Sequence, residues 1–332
     1  MNMLLWITLL LLHPTHPEDA RKKISLSGHA QGTSWHITYY STDTTVLASQ
    51  IDSILSAIDS SLSLYKPYSL ICQFNRDLHG IQMDEHLSAV IRQSLDTYRA
   101  SSGLFDITVQ PLVEAWGFSA RKPEEYPDSA VIRKILPCVG SGQLSVRNGY
   151  LFKAKPCVHI DLDGIAQGYS VDVLADFLEQ HQIADYIVEL GGELRVKGRK
   201  PSGEHMRVGI EAPSENEFAD AVIERIMTVD AGAVTTSGSY RAWHEKGGRK
   251  FSHTIDPHSG YPIDNELISV TVYAKKAIIA DAYDNALMIM GLHAAMEFVE
   301  RRKDMAAFFI YRRKDGSIGT AASKTFNVLL QP

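Results

Sequence analysis

The chain has 332 residues, 45% of them hydrophobic, which is enough for a large core in one big domain or two ordinary ones. Its 33 Lys and Arg against 39 Asp and Glu give a formal charge of −6, so it lacks the basic excess that sequence-independent nucleic-acid binding uses. Cys72, Cys138 and Cys157 lie far apart with no CxxC spacing, which argues against a cysteine zinc site or a disulfide-dense scaffold and leaves room for one disulfide and a spare thiol.

Met3 to Leu12 form an apolar run of about ten residues. A membrane span needs roughly 20, so the run has the size of a signal-peptide core. Residues 1–23 are expected to be an export signal or an uncleaved anchor, although no Lys or Arg precedes the run and no small-x-small cleavage site follows it. No lipobox cysteine follows either, so a lipid has no point of attachment. The expected location is the periplasm or the outer face of the cytoplasmic membrane, with any peripheral membrane hold falling to this segment.

After the charged stretch Glu18 to Lys23, Thr33, Trp35, Ile37 and Tyr39 alternate as in a strand. Leu47, Ile51, Ile54, Leu55, Ile58 and Leu62 recur at helical spacing, and 85–100 repeats the pattern before Gly103 caps it. Arg121 to Asn148, with Pro123, Pro127 and Pro137, reads as an irregular connection. Strands are expected at 158–162 and 186–190 around a helix from Ala166 to His181, then at 206–211, 223–229, 250–255 and 267–274. Helices are expected at 277–290 and near 294–302. Helices and strands mix without a regular βαβ count, which predicts an α+β fold. No repeat or clear linker divides residues 24–332.

The helix at Ala277 to Gly291 is apolar nearly all round, yet Asp281, Asp284 and Asn285 sit at i, i+3 and i+4 and project from one face. Buried carboxylates cost several kcal/mol unless paired or metal-bound, and an oxygen-only trio is the ligand chemistry of Mg²⁺. Capping of loops or bridges to arginines is the alternative. His159 to Tyr169 runs from a strand through a glycine turn into a helix N-terminus, where phosphate oxygens are favoured. Gly164 and Gly168 could equally permit only a tight turn, and Asp161 and Asp163 could be a cap and a surface charge.

Thr235 to Tyr240 reads as a hydroxyl-rich turn, followed by a hairpin with Gly247-Gly248 at its tip and a turn at Asp256 to Gly260. Ser237, His253 and Asp256 invite a catalytic-triad reading, but no nucleophile elbow surrounds Ser237, and nearness in sequence is not triad geometry. Gly103 to Phe118 is dense in aromatics, suited to a wall for a planar ring or to core packing.

Taken in order, these segments closely resemble the FAD:protein FMN transferase family, also called the ApbE family. The likeness runs from Gln31-Gly32-Thr33 through LYKPYSLICQFN at 64–75, GLFDITVQPLVEAWGF, IDLDGIAQGYSVD, YIVELGGELRVKG, the TSGSY and SHTIDPHSG pair, and ADAYDNALMIMG. It implies a single intertwined, T-fold-like domain and a Mg²⁺-dependent enzyme, generally outside the cytoplasmic membrane. Such an enzyme cleaves FAD at the pyrophosphate, attaches FMN through a phosphoester to a Thr or Ser of a target protein and releases AMP. The implied acceptor carries a D-x-x-[S/T]-[G/S]-A-T sequence.

Residue by residue, the resemblance implies FAD contacts at Gln31, Tyr65, Leu104, Phe105, Asp106, Asp161, Gln167 and Ile255. It implies metal ligation by the Gly164 carbonyl with Asp281, Asp284 and Asn285. His253 matches a histidine important for activity, and His253 or Asp284 is the expected base for the target hydroxyl. Two positions depart from the pattern: many relatives have Thr where this chain has Asn285, and Lys or Glu where it has Gln167. Two rivals share the scaffold, an FAD pyrophosphatase that gives free FMN and AMP and a non-catalytic flavin-binding protein. An aromatic at Tyr65 goes with transfer, and the intact acidic pair argues against mere binding.

Overall fold

The computed structural model describes residues 20–43, 46–119, 126–212, 222–238, 243–246 and 249–330, with only the backbone taken at 243–246 and 249–251. The expected export segment thus lies outside the described residues except for its last four. Strand β1 (Lys22–Ala30) already includes Lys22 and Lys23 and pairs with β2 (Thr33–Ser41) across a two-residue turn. Gln31 and Gly32 both have positive φ, 52° and 76°, as such a hairpin turn requires. Small residues and alternating Ile24 and Leu26 mark β1, a period-two signal that the sequence reading passed over.

Helix α1 (Ala48–Leu62) buries Ile51, Leu55 and Ile58 as its spacing predicts. The short α2 (Leu70–Arg76) follows, then β3 (Gly80–Gln82) and α3 (Glu85–Ala100), which Asp84 caps by accepting from the Leu87 N–H. Beyond Gly103 lie α4 (Gln110–Ala115), α5 (Ser129–Ile135), β4 (Leu144–Arg147) and β5 (Tyr150–Lys153). The described part of Arg121 to Asn148 is therefore ordered structure, not an irregular connection. Asp128 caps α5 through the Ala130 and Val131 N–H groups, a signal hidden among the prolines. Cys138 and Cys157 form the disulfide and Cys72 keeps its thiol.

Residues 158–162 are not a strand. Val158, Ile160 and Leu162 are buried in strand-like alternation, but no neighbouring strand pairs with them. The Asn75 side chain takes a partner strand's place, donating to the Ile160 carbonyl at 2.9 Å and accepting from its N–H at 2.8 Å. Buried Lys153 adds donations to the Phe74 and Val158 carbonyls.

The rest alternates and closes. After α6 (Ala166–Gln180) come β6 (Tyr186–Leu190), β7 (Glu193–Lys197), β8 (Met206–Glu211), β9 (Ile223–Val229) and β10 (Ala231–Gly238). The hairpin β11 (Trp243–Lys246) and β12 (Arg249–Ser252) precedes β13 (Leu267–Ala274), α7 (Ala277–Met290), α8 (Leu292–Glu300), β14 (Met305–Arg312), β15 (Ile318–Ala322) and α9 (Lys324–Leu329). Thr235 to Gly238 thus belong to a central strand, not a turn, because flanking β7 and β13 pair with them or with their immediate neighbours. The expected strand at 250–255 ends at Ser252, and Ile255 makes only a single bridge to Pro262.

Antiparallel pairing builds one sheet in the order β1-β2-β6-β7-β10-β13-β14-β15. Helices α1, α6, α7 and α8 cover one face, and β8, β9 and α9 pack on the other. Strand β13, covered on both faces, is accordingly buried at seven of its eight residues. No helix among the described residues is long and apolar enough to cross a membrane. The expected α+β class holds.

Candidate active site

The site is built where α6 crosses α7. A Cβ on Gly168 would meet the Ala277 carbonyl oxygen at 2.5 Å and the Asp281 Cβ at 2.7 Å, so glycine is what lets the helices touch. That contact, more than a tight turn, is the reason for Gly168. Its N–H then donates to Asp281 Oδ2 at 2.8 Å. One turn on, buried Asp172 accepts from the Ala277 and Ile278 N–H groups at 3.0 Å each and pairs with Arg195. Helix α7 has no cap of its own, so α6 supplies one across the contact.

Asp281 and Asp284 therefore enter the interior at fixed height, 4% and 1% exposed. Burial is the main force raising both carboxyls: Asp281 is pushed up to about 7, and Asp284, with Asp281 beside it, well above the usual range. The Thr235 hydroxyl opposes the shift at Asp284. Asn285 Nδ2 donates to Asp284 Oδ1 at 3.0 Å, to the Asp281 carbonyl at 3.0 Å and more weakly to the Gly164 carbonyl at 3.4 Å.

Asn285, Asp284 and the Gly164 carbonyl thus converge. With its nitrogen inward the amide satisfies oxygens that a cation would draw; turned over, it would offer oxygen, and such amide orientations are assigned from hydrogen bonding. Two carboxylates, a carbonyl and an amide form a hard oxygen set that suits Mg²⁺. Among the described residues no group of three or more His, Cys, Asp or Glu is placed to hold a metal by such side chains alone.

Three adjoining cavities meet at Asp163. The first, about 480 Å³, is walled by Gln31, Asp59, Tyr65, Lys66 and Gln167. The second, about 180 Å³, is apolar, with Leu104, Phe105, Ile107, Val109, Phe118 and Ile255 around Asp106 and Asp161. The third, about 560 Å³, opens over Asp281, Asp284 and Asn285 between β7, β8 and β10. Its described lining carries six carboxylates, Asp163, Glu189, Glu193, Glu211, Asp281 and Asp284, and no Lys or Arg. His253 borders the second and third cavities and its ring meets Phe118 edge-on at 6.5 Å.

All the FAD, metal and activity positions implied by the resemblance line these cavities, whereas Asp256 of the triad reading lines none of them, and Asp106 plays an unexpected part. Its carboxylate accepts from the Thr108 N–H and hydroxyl and from the Ser141 N–H and hydroxyl, so it clamps two loops. Asp161 is pushed up to about 8 by burial and then by Asp163. The hydroxyl of Tyr65, a residue 66% exposed, is pushed up chiefly by the charge of Asp163. Ser237 donates to Asn285 Oδ1 at 3.4 Å and Asp256 caps the His258 N–H in its own turn.

Sequence reasoning missed Asp163 as the meeting point, Asp59 held by Gln31 and Lys66, and the Asp172–Arg195 support. Asp163 differs from Asp161 only by its neighbours in space. Asp59 fell on the polar face of an amphipathic helix, where a carboxylate is unremarkable.

Such a cleft, where buried acids with raised pKa values face apolar and polar lobes, has the character of an enzyme active site. The sequence profile of the ApbE family matches residues 31–309. The chain is 32% identical to the FAD:protein FMN transferase of Haemophilus influenzae, over 93% of this chain and 92% of that one. It is 36% identical to that of Salmonella typhimurium, over 88% and 85%. Among solved structures it overlays the flavin transferase ApbE of Vibrio cholerae with a TM-score of 0.83 at 32% identity, over 93% of this chain and 100% of that one. The apo flavinyl transferase ApbE of Pseudomonas stutzeri gives 0.84 at 33%, over 93% and 97%. The chain belongs to the ApbE family.

Proposed function

We propose that this protein is a Mg²⁺-dependent enzyme that cleaves FAD and transfers FMN to a Thr or Ser hydroxyl of a target protein. The supporting observation is the acidic cavity: FAD carries a charged pyrophosphate, and a wall with six acidic side chains and no Lys or Arg among its described residues offers that charge no counter-ion unless a cation is bound there. Asp281, Asp284, Asn285 and the Gly164 carbonyl would hold that ion. Mg²⁺ would neutralise pyrophosphate charge and orient the phosphorus.

The chain's own groups do the rest. Phe105, Phe118 and Ile255 offer an apolar slot for a planar ring, and Tyr65 with Gln31 and Gln167 a polar one. The acceptor oxygen forms its bond to the FMN phosphorus as the bond to the AMP oxygen breaks; the acceptor proton leaves to His253 or Asp284, and AMP departs as an anion.

Incubation with FAD, Mg²⁺ and a peptide of the D-x-x-T-G-A-T kind should give a fluorescent peptide and AMP. Free FMN with unlabelled peptide would instead support the pyrophosphatase reading, and FAD bound but intact the storage reading. We further propose export. The apolar run Met3 to Leu12 supports it, and so does the Cys138–Cys157 disulfide, a bond typical of oxidising compartments. Fractionation of the producing cell should find the protein outside the cytoplasm.

A further inference from the structure

Transfer to a protein needs a third entrance to the phosphorus, besides those for the two halves of FAD. We propose that the acceptor docks in the cavity between β7, β8 and β10, as an extended strand added to the open edge of β8. This rests on the transferase reading and adds where, and in what conformation, the polypeptide binds.

The three cavities are not equivalent. Heterocycles want flat aromatic or apolar walls. The first cavity has Tyr65 and the second has Phe105 and Phe118, whereas the third has no Phe, Tyr or Trp among its described lining. It offers backbone instead. Strand β8 pairs only with β9, and no strand among the described residues takes its other edge; the nearest contact is a single bridge from His205, just before it, to Arg199.

Val208, Gly209, Ile210 and Glu211 all line the cavity, while no residue of β9 does. Side chains of a strand alternate between faces, so four consecutive residues can line one cavity only along the strand's edge, where N–H and C=O groups point. Gly192, at φ 112°, lines the same cavity and has open space where a Cβ would lie.

An unpaired strand edge is the usual template for an added peptide strand, with main-chain bonds giving affinity. Six residues of β8 at roughly 3.3 Å each offer about 20 Å of edge, enough for five or six acceptor residues. Asp163, Gly164, Asp281 and Asp284 lie on the same cavity, so a hydroxyl carried by that strand arrives beside the proposed metal. The occupant is an extended segment that carries its Ser or Thr hydroxyl into this cavity.

The test is hydrogen exchange on the whole protein with FAD and Mg²⁺, using a D-x-x-A-G-A-T peptide that binds but offers no hydroxyl at the acceptor position. Amides of 206–211 should slow at least fivefold. A second measurement uses the Thr-containing peptide with single N-methyl groups: methylation at alternate amides should raise its KM tenfold or more, with the intervening positions within twofold and FAD affinity unchanged. Slowed exchange only at other surfaces, no slowing at β8, or N-methyl effects without a two-residue period would each overturn the docking mode. The fluorescent band judges the activity separately: β8 protection without a band would retain the dock and sink the transferase reading.

Discussion

Asp106 and Asp281 are buried alike, 7% and 4% exposed, yet their surroundings differ. Asp106 has four donors, two from Thr108 and two from Ser141, whereas Asp281 has one, the Gly168 N–H, among the described residues. Burial pushes the Asp281 carboxyl up to about 7. A carboxylate that serves the fold is surrounded by donors; one that serves a ligand is held in place by a minimum of them and left short. The same contrast separates Asp172, which ties two helix N–H groups and Arg195, from Asp284 beside it in the same helix pair.

Substitutions should separate the two environments. Asp281→Asn should lower FMN transfer about 10³-fold, the loss expected when a charge-stabilising group is removed, while raising the melting temperature measured in EDTA at pH 8, because an uncompensated buried charge is gone. Asp106→Ala should act the other way. It orphans the Thr108 and Ser141 donors and should cost about 3 kcal/mol in urea unfolding. Equal stability losses in both variants would erase the distinction.

The pH dependence sharpens it. Unfolded carboxylates release their protons near 4, whereas folded Asp281 holds its proton up to about 7 and Asp161 up to about 8. The folded chain binds more protons in that window, so stability without divalent ions should fall as pH rises from about 4 to 8. Mg²⁺ should restore the melting temperature at pH 8 and do little at pH 5. Smaller effects should follow from the supports. Asn75→Ala leaves the Ile160 N–H and carbonyl unpaired and should cost about 1–2 kcal/mol, with a several-fold loss of Mn²⁺ affinity read by electron paramagnetic resonance. Gln73→Ala, which removes only a bond to the Tyr68 carbonyl in the turn before the same helix, should leave that affinity unchanged.

What was legible in the sequence follows from the same physics. Periodicity found α1, α3, α6 and α7, and the i, i+3, i+4 spacing on an apolar helix placed Asp281, Asp284 and Asn285 together. It misread 158–162 because alternation reports burial, not pairing, and the partner there is one asparagine 85 residues away. It misread Thr235 to Gly238 because hydroxyls and glycine suit turns until neighbouring strands claim them. Asp163 and the open edge of β8 carry no local mark at all; their meaning arises only where three cavities meet.

The most direct measurement is FMN transfer to an acceptor peptide as Mg²⁺ is titrated, for the wild-type protein and the Asp281→Ala, Asp284→Ala double variant. The acidic pair as the metal's holder predicts transfer that needs Mg²⁺ in the wild type and none at any ordinary concentration in the double variant. Full transfer by the double variant at ordinary Mg²⁺ would contradict it.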